Sequence, residues 1–268
     1  MSLLELSAVT KKFTDPSLTA LDNVEMTIAQ GTVTALVGPS GCGKSTLLRI
    51  IAGLSSPSQG SLAWSVDSPL VALMPQRDGL FSWNTIEDNV ALPLRIRGVS
   101  RQKARERARA LLAQFDLQQF SGAYPAQLSG GMRSRVAFLR TMLARPTLIA
   151  LDEPFGALDQ ITRSHMQRWL WQAASSRDLT LLLVTHDIAE AVTLADRVLM
   201  MSERPGRIIT EIPITIPERA KFLSANSPAA TGSFSHRTGL RTTPNFVKAY
   251  QEIENALWGI ENREEKWI

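Results

Sequence analysis

Four short runs of consecutive apolar residues punctuate the chain: Val33 to Val37, Leu70 to Met74, Thr147 to Leu151 and Leu181 to Val184. Each is the length of a strand, and an unbroken apolar run fits a strand covered on both faces, as in a parallel sheet. Residues 2 to 9 and 24 to 29 read as further strands, separated by a turn-rich stretch around Asp15-Pro16-Ser17. A short strand around Ser61 to Trp64 follows the turn Ser55 to Gly60. From Thr85 to Ala144 the pattern is helical. Thr85 and Asp88 suit a helix start before Ile86, Val90 and Leu94, and Pro93 predicts a kink or break. Ser100 opens a helix with Ala104, Ala108, Leu111, Leu112 and Phe115 on one face. Its other face carries Arg101, Lys103, Arg105, Arg107 and Arg109 without interleaved aromatics, which reads as a solvated face. Another helix covers Ile161 to Ala174. Residues 224 to 243, rich in Ser, Thr, Ala and Gly, read as a mobile linker to a last helix from Thr243-Pro244, with Phe246, Tyr250, Ile253 and Leu257 on one face. Packing back on its own domain is the simplest use of that helix; a regulatory or dimer-contacting role is the alternative.

The ends of the apolar runs carry the polar chemistry. Gly38-Pro39-Ser40-Gly41-Cys42-Gly43-Lys44-Ser45 follows the first run and leads into a helix starting near Lys44, with Thr46, Leu47, Leu48, Ile50 and Ile51. Three glycines let the backbone curl so that consecutive N–H groups face one anion, and the helix adds the positive end of its dipole. Lys44 supplies a charge for the outer phosphates, and the Ser45 hydroxyl is placed to hold Mg²⁺. Gln76 lies at the carboxyl end of the second run, where open α/β sheets place their ligands, and its amide oxygen can reach a metal or a water. The third run ends in Asp152, able to hold Mg²⁺ directly or through water, and Glu153, able to accept a proton from a water attacking phosphorus. The fourth delivers Thr185-His186-Asp187, where His186 can donate to a γ-phosphate or hold the attacking water. Leu128-Ser129-Gly130-Gly131-Met132 opens another helix with exposed N–H groups, one anion site more than a single nucleotide needs. Phe13 is open on position alone between stacking on a purine and filling the core. Asp78 to Asn84 puts large apolar side chains on a turn-like segment, which reads as a contact surface for another protein rather than a local mini-core.

Composition narrows the setting. The 268 residues, 44% of them hydrophobic, suit one sizeable α/β domain with a small appendage. No apolar run approaches the ~20 residues of a membrane-spanning helix, and Met1 to Glu5 lacks a signal-peptide layout, so a cytosolic chain is expected. The single Cys42 cannot form an internal disulfide, and its place inside the glycine-rich loop implies that a thiol reagent blocks nucleotide binding. A net charge of +4 suits a nucleotide-binding protein near acidic head groups and is too diffuse to argue for nucleic acid.

Taken in order, these motifs resemble the nucleotide-binding subunit of an ABC transporter, over roughly residues 3 to 212. The resemblance implies an α/β fold of ABC ATPase type: a P-loop NTPase (RecA-like) core with an antiparallel β subdomain and an inserted helical subdomain. The nucleotide-binding domain would span 1–216, with the helical insert at about 85–145, and 217–268 would form the linker and helical tail. ATP and Mg²⁺ are the implied ligands. Phe13 then corresponds to the adenine-stacking aromatic, Gly38 to Ser45 to the phosphate loop, with Thr46 a further nucleotide-binding residue, and Gln76 to the Q-loop glutamine. Asp152 corresponds to the metal-binding aspartate, Glu153 to the catalytic glutamate, Asp159 to the D-loop and His186 to the switch histidine. Ser129, Gly130 and Gly131 resemble the family signature, with Met132 where Gln is usual. Two copies then pack head to tail, each ATP lying between Lys44 of one and Ser129 of the other, which accounts for the second anion site. Leu80 to Trp83, Gly131-Met132-Arg133, Ala195 to Met200 and Arg204 to Ile208 look most like importer ATPases for nitrate, sulfonate or taurine and related solutes, including thiamine-precursor pyrimidines. That implies a peripheral protein on the cytoplasmic side of the inner membrane, permease subunits docked on Gln76 to Trp83, an extracytoplasmic solute-binding protein, and no nucleic acid. The alternatives are an exporter ATPase and a soluble ABC ATPase working on ribosomes or DNA. A P-loop kinase or GTPase leaves Ser129 to Gly131 and His186 unexplained.

Overall fold

In the computed structural model, which describes residues 1–14, 17–156, 158–177, 179–223 and 239–261, the chain opens with two long antiparallel strands, β1 (Ser2–Thr14) and β2 (Ser17–Ala29). Both outrun the spans 2–9 and 24–29 expected from sequence. Lys12 still pairs with Thr19, and Phe13 with Leu18, because a ladder needs only backbone groups and tolerates polar side chains toward its tip. Asp15 and Pro16 lie outside the described residues. A later strand, β4 (Gln59–Trp64), joins the other side of β1 to complete a three-stranded antiparallel sheet. Three parallel strands lie side by side in the order β7 (Thr180–Val184), β3 (Val33–Val37), β8 (Arg197–Met201), and β9 (Ile208–Pro213) pairs antiparallel with β8. All five positions of β3 and of β7 are buried, as their unbroken apolar runs predict. Helix α1 (Lys44–Ile51) follows β3, and α6 (Ile188–Leu194) follows β7.

These elements belong to the first of two compact units, Met1–Pro69 with Gln167–Ile268. Near its end, α7 (Arg219–Leu223) carries the buried Arg219, which donates to the carbonyls of Val192 and Ala195; burial lowers its guanidinium pKa. The last helix, α8 (Pro244–Glu261), buries Phe246, Ala249 and Ile253 and packs on α6. Of the expected linker 224–243, residues 224–238 lie outside the described residues. Among the described residues no helix is long and apolar enough to cross a membrane.

The second unit is Leu70–Met166. It holds the parallel pair β5 (Val71–Met74) and β6 (Leu148–Asp152) and the helices α2 (Ile86–Ile96), α3 (Arg101–Ala113) and α4 (Gly130–Leu143). Strand β6 is buried throughout, but in β5 only Met74 is, which corrects the expectation of a fully buried strand; β5 ends its sheet and has a neighbour on one side. Pro93 does not break α2. It sits in the last turns, between the buried pair Val90 and Ala91 and the buried Leu94, and its own carbonyl accepts from Arg97 N–H, so packing holds the turn that lost one donor.

Ala104, Ala108 and Leu112 face inward from α3 as predicted, but its basic face is not simply solvated. Arg101 and Arg105 reach Asp88 at 3.1 and 2.6 Å, and Arg109 reaches Glu87 at 2.7 Å, so arginines four residues apart meet the buried acids of the first turn of α2. Lys103 and Arg107 remain exposed. The hydrogen bond from Arg105, helped by Arg101, outweighs burial and holds the Asp88 carboxyl at about 2. Because the folded state prefers the carboxylate, this contribution is present above the ordinary aspartate range and disappears as pH falls from about 4 to about 2. Asp88→Asn is therefore expected to lower stability near neutrality by about 1 kcal/mol, the arginines being partly screened by solvent, and to flatten the loss across that acid window; urea unfolding at a series of pH values measures both.

Candidate functional site

Strands β7, β3 and β8 run in register, with Leu36 opposite both Val184 and Leu199, so the segments that follow them emerge at one edge. After β3 the loop Gly38–Gly43 curls over the start of α1. Gly43 has φ +110°, and a Cβ there would lie 2.7 Å from the Ala20 carbonyl oxygen and 2.8 Å from Leu21 Cδ2, so only glycine fits between the loop and β2. Lys44 is buried, and its Nζ donates to the carbonyls of Gly38 and Pro39, both at 2.7 Å, with Cys42 Sγ at 3.7 Å. Neutral oxygens solvate this ammonium without neutralising it; a phosphate entering the loop does both. Ser40 and Ser45 are exposed beside it, and Thr46 is half-buried. The Cys42 thiol is 1% exposed, so a reagent reaches it only when the loop opens.

At the end of β7 the Thr185 hydroxyl donates to Glu190 Oε2 at 2.8 Å and accepts from the Asp187 N–H at 3.0 Å. Asp187 caps α6 by accepting from the Glu190 N–H at 3.2 Å. This closed turn presents His186, which is exposed. Phe13 is 41% exposed near the tip of β1, with the Lys11 ammonium 5.3 Å from its ring centroid, so it is not a core residue.

In the second unit, Met74 of β5 lies opposite Leu151 of β6, and the residues two positions beyond each meet: Gln76 Nε2 donates to Glu153 Oε2 at 3.0 Å. Asp152 is buried at the end of β6, whereas Glu153 has φ +48°. That left-handed backbone costs on the order of 1 kcal/mol in a residue with a Cβ, and strain of this kind collects at functional sites. Ser129 caps α4 by accepting from the Met132 N–H at 3.3 Å, with Gly130 exposed and Gly131 half-buried at the helix start. Asp159 accepts from the N–H groups of Ile161 and Thr162, both at 3.0 Å, capping α5 (Gln160–Arg177); the bond from the Thr162 side chain, then the backbone bonds, hold its carboxyl below the usual range. The neighbouring Ala157 lies outside the described residues.

Asp78 to Trp83 is part anchored and part surface, which merges the two sequence readings. The Phe81 and Trp83 rings pair with centroids 5.1 Å apart, yet Trp83 is 72% exposed. Three residues pin this loop, of which the sequence singled out only Arg133, and that for the family resemblance. Arg133 and Arg140 of α4 reach Asp78 Oδ2 at 2.9 Å and the Gly79 carbonyl at 2.8 Å, and the buried amide of Asn89 exchanges both hydrogen bonds with the Phe81 backbone. Asn89 was detectable: it is a polar residue on the apolar side of a predicted helix, and such groups are buried only when bonded.

Ser45, Gln76 and Asp152 offer hydroxyl, amide and carboxylate oxygens, the hard donors that Mg²⁺ prefers. Among the described residues no group of three or more His, Cys, Asp or Glu lies close enough together to hold a metal ion.

Residues 21–156 match the family model described as ABC transporter. The chain belongs to the ABC transporter family. It is an ATP-binding cassette ATPase with the P-loop NTPase fold. The aliphatic sulfonates import ATP-binding protein of Burkholderia ambifaria is 45% identical over 223 residues, 82% of this chain and 67% of that one. The nitrate import ATP-binding protein of Synechocystis is 38% identical over 260 residues, 94% of this chain and 93% of that one. Among solved structures, a dimeric ATP-binding cassette in a post-hydrolysis state with ADP and Pi superposes with a TM-score of 0.73 at 29% identity, covering 80% of this chain and all of that one.

Gly43→Ala is expected to displace this ABC cassette's phosphate loop from β2 and weaken ADP binding by at least about tenfold. Titration calorimetry with ADP measures the loss, and an unchanged affinity would show that the loop tolerates the side chain.

Proposed function

We propose that the chain is the ATP-hydrolysing subunit of an importer for a small solute of the nitrate, sulfonate or taurine class, or for a thiamine-precursor pyrimidine. The observation that carries this reading beyond the family is the similarity to import proteins for nitrate and sulfonates over 94% and 82% of the chain. In this reading Phe13 stacks on adenine, and the loop from Gly38 to Ser45, with Thr46, surrounds the phosphates. Lys44 exchanges the Gly38 and Pro39 carbonyls for the outer phosphates. Ser45, Gln76 and Asp152 would hold Mg²⁺, which would screen the phosphate charge. Glu153 takes the proton from a water whose oxygen attacks the γ-phosphorus, the bond to the bridging oxygen breaks, and ADP and phosphate leave. His186 donates to the γ-phosphate. The 3.0 Å bond from Gln76 to Glu153 supports a role for the amide in orienting the base.

The second anion-binding helix start, Ser129 to Gly131 with its exposed cap, serves the ATP bound by a second copy of the chain, with Asp159 at the same junction. The dimeric neighbour with ADP and Pi supports this pairing. ATP favours the closed pair because it is bound from both sides, and hydrolysis removes that preference. The pinned loop with the exposed Trp83 suits a permease segment on the cytoplasmic face of the membrane, fed by an extracytoplasmic solute-binding protein; nothing in this reading uses nucleic acid.

Glu153→Gln is expected to lower turnover by roughly a hundredfold or more while accumulating an ATP-bound dimer in size-exclusion chromatography. Near-normal hydrolysis by this variant would remove Glu153 from its role. Captured from native membranes with ATP, the same variant should bring a polytopic membrane protein and a solute-binding protein; recovery of ribosomal or DNA-bound proteins instead would overturn the transport assignment. Adding Trp83→Asp should reduce the permease recovered by about tenfold without disturbing the dimer, since a charge replaces an exposed aromatic that the permease would cover.

A further inference from the structure

The segment Arg204-Pro205-Gly206, between β8 and β9, touches the phosphate loop directly. Arg204 donates from Nε and Nη2 to one acceptor, the Gly41 carbonyl, at 2.9 and 2.6 Å. Gly206 is buried against the next peptide: a Cβ there would lie 2.1 Å from the Cys42 carbonyl oxygen, so no other residue fits. The segment is itself held. Ser202 N–H donates to the Arg207 carbonyl at 2.9 Å, and Arg207 N–H donates to Ser202 Oγ at 2.9 Å. Gly206 exchanges backbone bonds with β2, donating to Ala20 and accepting from Asp22, and Arg207 pairs with the Asp22 carboxylate.

A trans peptide is planar, and its C=O and N–H point in opposite directions. Fixing the Gly41 oxygen on the outer side therefore fixes the Cys42 N–H toward the inside of the loop, where it donates to the Pro39 carbonyl at 3.4 Å, a long bond that is easily given up. Gly206 packed on the Cys42 oxygen holds the following peptide, and so the Gly43 N–H, in the same way. A phosphate loop works only if its N–H groups converge before the anion arrives; otherwise binding must order them.

We propose that Arg204 and Gly206 are positioning residues for nucleotide binding: they hold two successive loop carbonyls outward so that the Cys42 and Gly43 N–H groups are preset for the phosphates. The inference rests on the reading that Gly38 to Ser45 binds the nucleotide. Arg204 acts on the backbone and touches no substrate.

The test uses the full chain with Arg204→Met and Arg204→Lys, ADP titration, steady-state ATPase kinetics, and thermal melting without and with ADP. Arg204 is exposed, so its replacement should leave the nucleotide-free melting temperature unchanged. Arg204→Met is expected to weaken ADP binding and raise KM for ATP by about tenfold, the loss falling on KM rather than kcat, and to shrink the ADP-induced rise in melting temperature; Arg204→Lys restores most of it by keeping a donor on Gly41. Wild-type ADP affinity in Arg204→Met, or a loss confined to kcat, overturns the proposal. A fall in the nucleotide-free melting temperature that by itself accounts for the weaker binding also overturns it, because the residue would then be merely structural. Lys44→Ala measured alongside separates the two levels: if it binds ADP like the wild type, the nucleotide reading of the loop fails, whereas its loss together with an unaffected Arg204→Met rejects only the positioning role.

Discussion

A strand buried on both faces can carry no polar work along its length, and this constraint organises the molecule. All of β3, β6 and β7 is buried, so the charged and polar groups these strands deliver sit at or just past their last residues. Parallel pairing then sets neighbouring ends level. In the first unit that brings the phosphate loop, the His186 turn and the Arg204 segment to one edge. In the second it brings Gln76 to Glu153 through a register in which Met74 faces Leu151.

Arginine does much of the joining at these edges. Arg101, Arg105 and Arg109 bind α3 to α2, Arg133 and Arg140 bind α4 to the aromatic loop, Arg204 binds a carbonyl of the loop after β3, and Arg219 binds the carbonyl that ends α6. A planar guanidinium carries five donors in a fixed fork, a directional geometry that the point-like ammonium of lysine lacks.

The sequence revealed the strands and the glycine-rich loop because unbroken apolar runs and a fixed motif are local signals. The helix starts at Ser129 and Thr85 were equally legible, since capping involves residues three apart. Strand lengths at the β1–β2 tip were not, because backbone pairing there is indifferent to side chains. Nor was the partial exposure of β5, which depends on where a strand falls in the sheet order. The contacts of Arg204 with Gly41 and of Arg140 with Gly79 join residues far apart in sequence to backbone oxygens, and a backbone oxygen has no letter in a sequence. Phe13 was undecidable from position, and its exposure removes the core reading.

Helix α8 has a bearing on how the molecule is made. Its residues Phe246, Ala249 and Ile253 belong to the burial of α6, yet they are translated after every strand of both sheets. During synthesis the sheets can therefore assemble while the apolar flank of α6, next to the turn that carries His186, is still uncovered. Domains fold as their chains emerge, and uncovered apolar surface on such intermediates invites aggregation. The nascent chain thus passes through a stage in which most of its β framework exists and the support behind that turn does not, a stage at which chaperones would find an apolar face to hold.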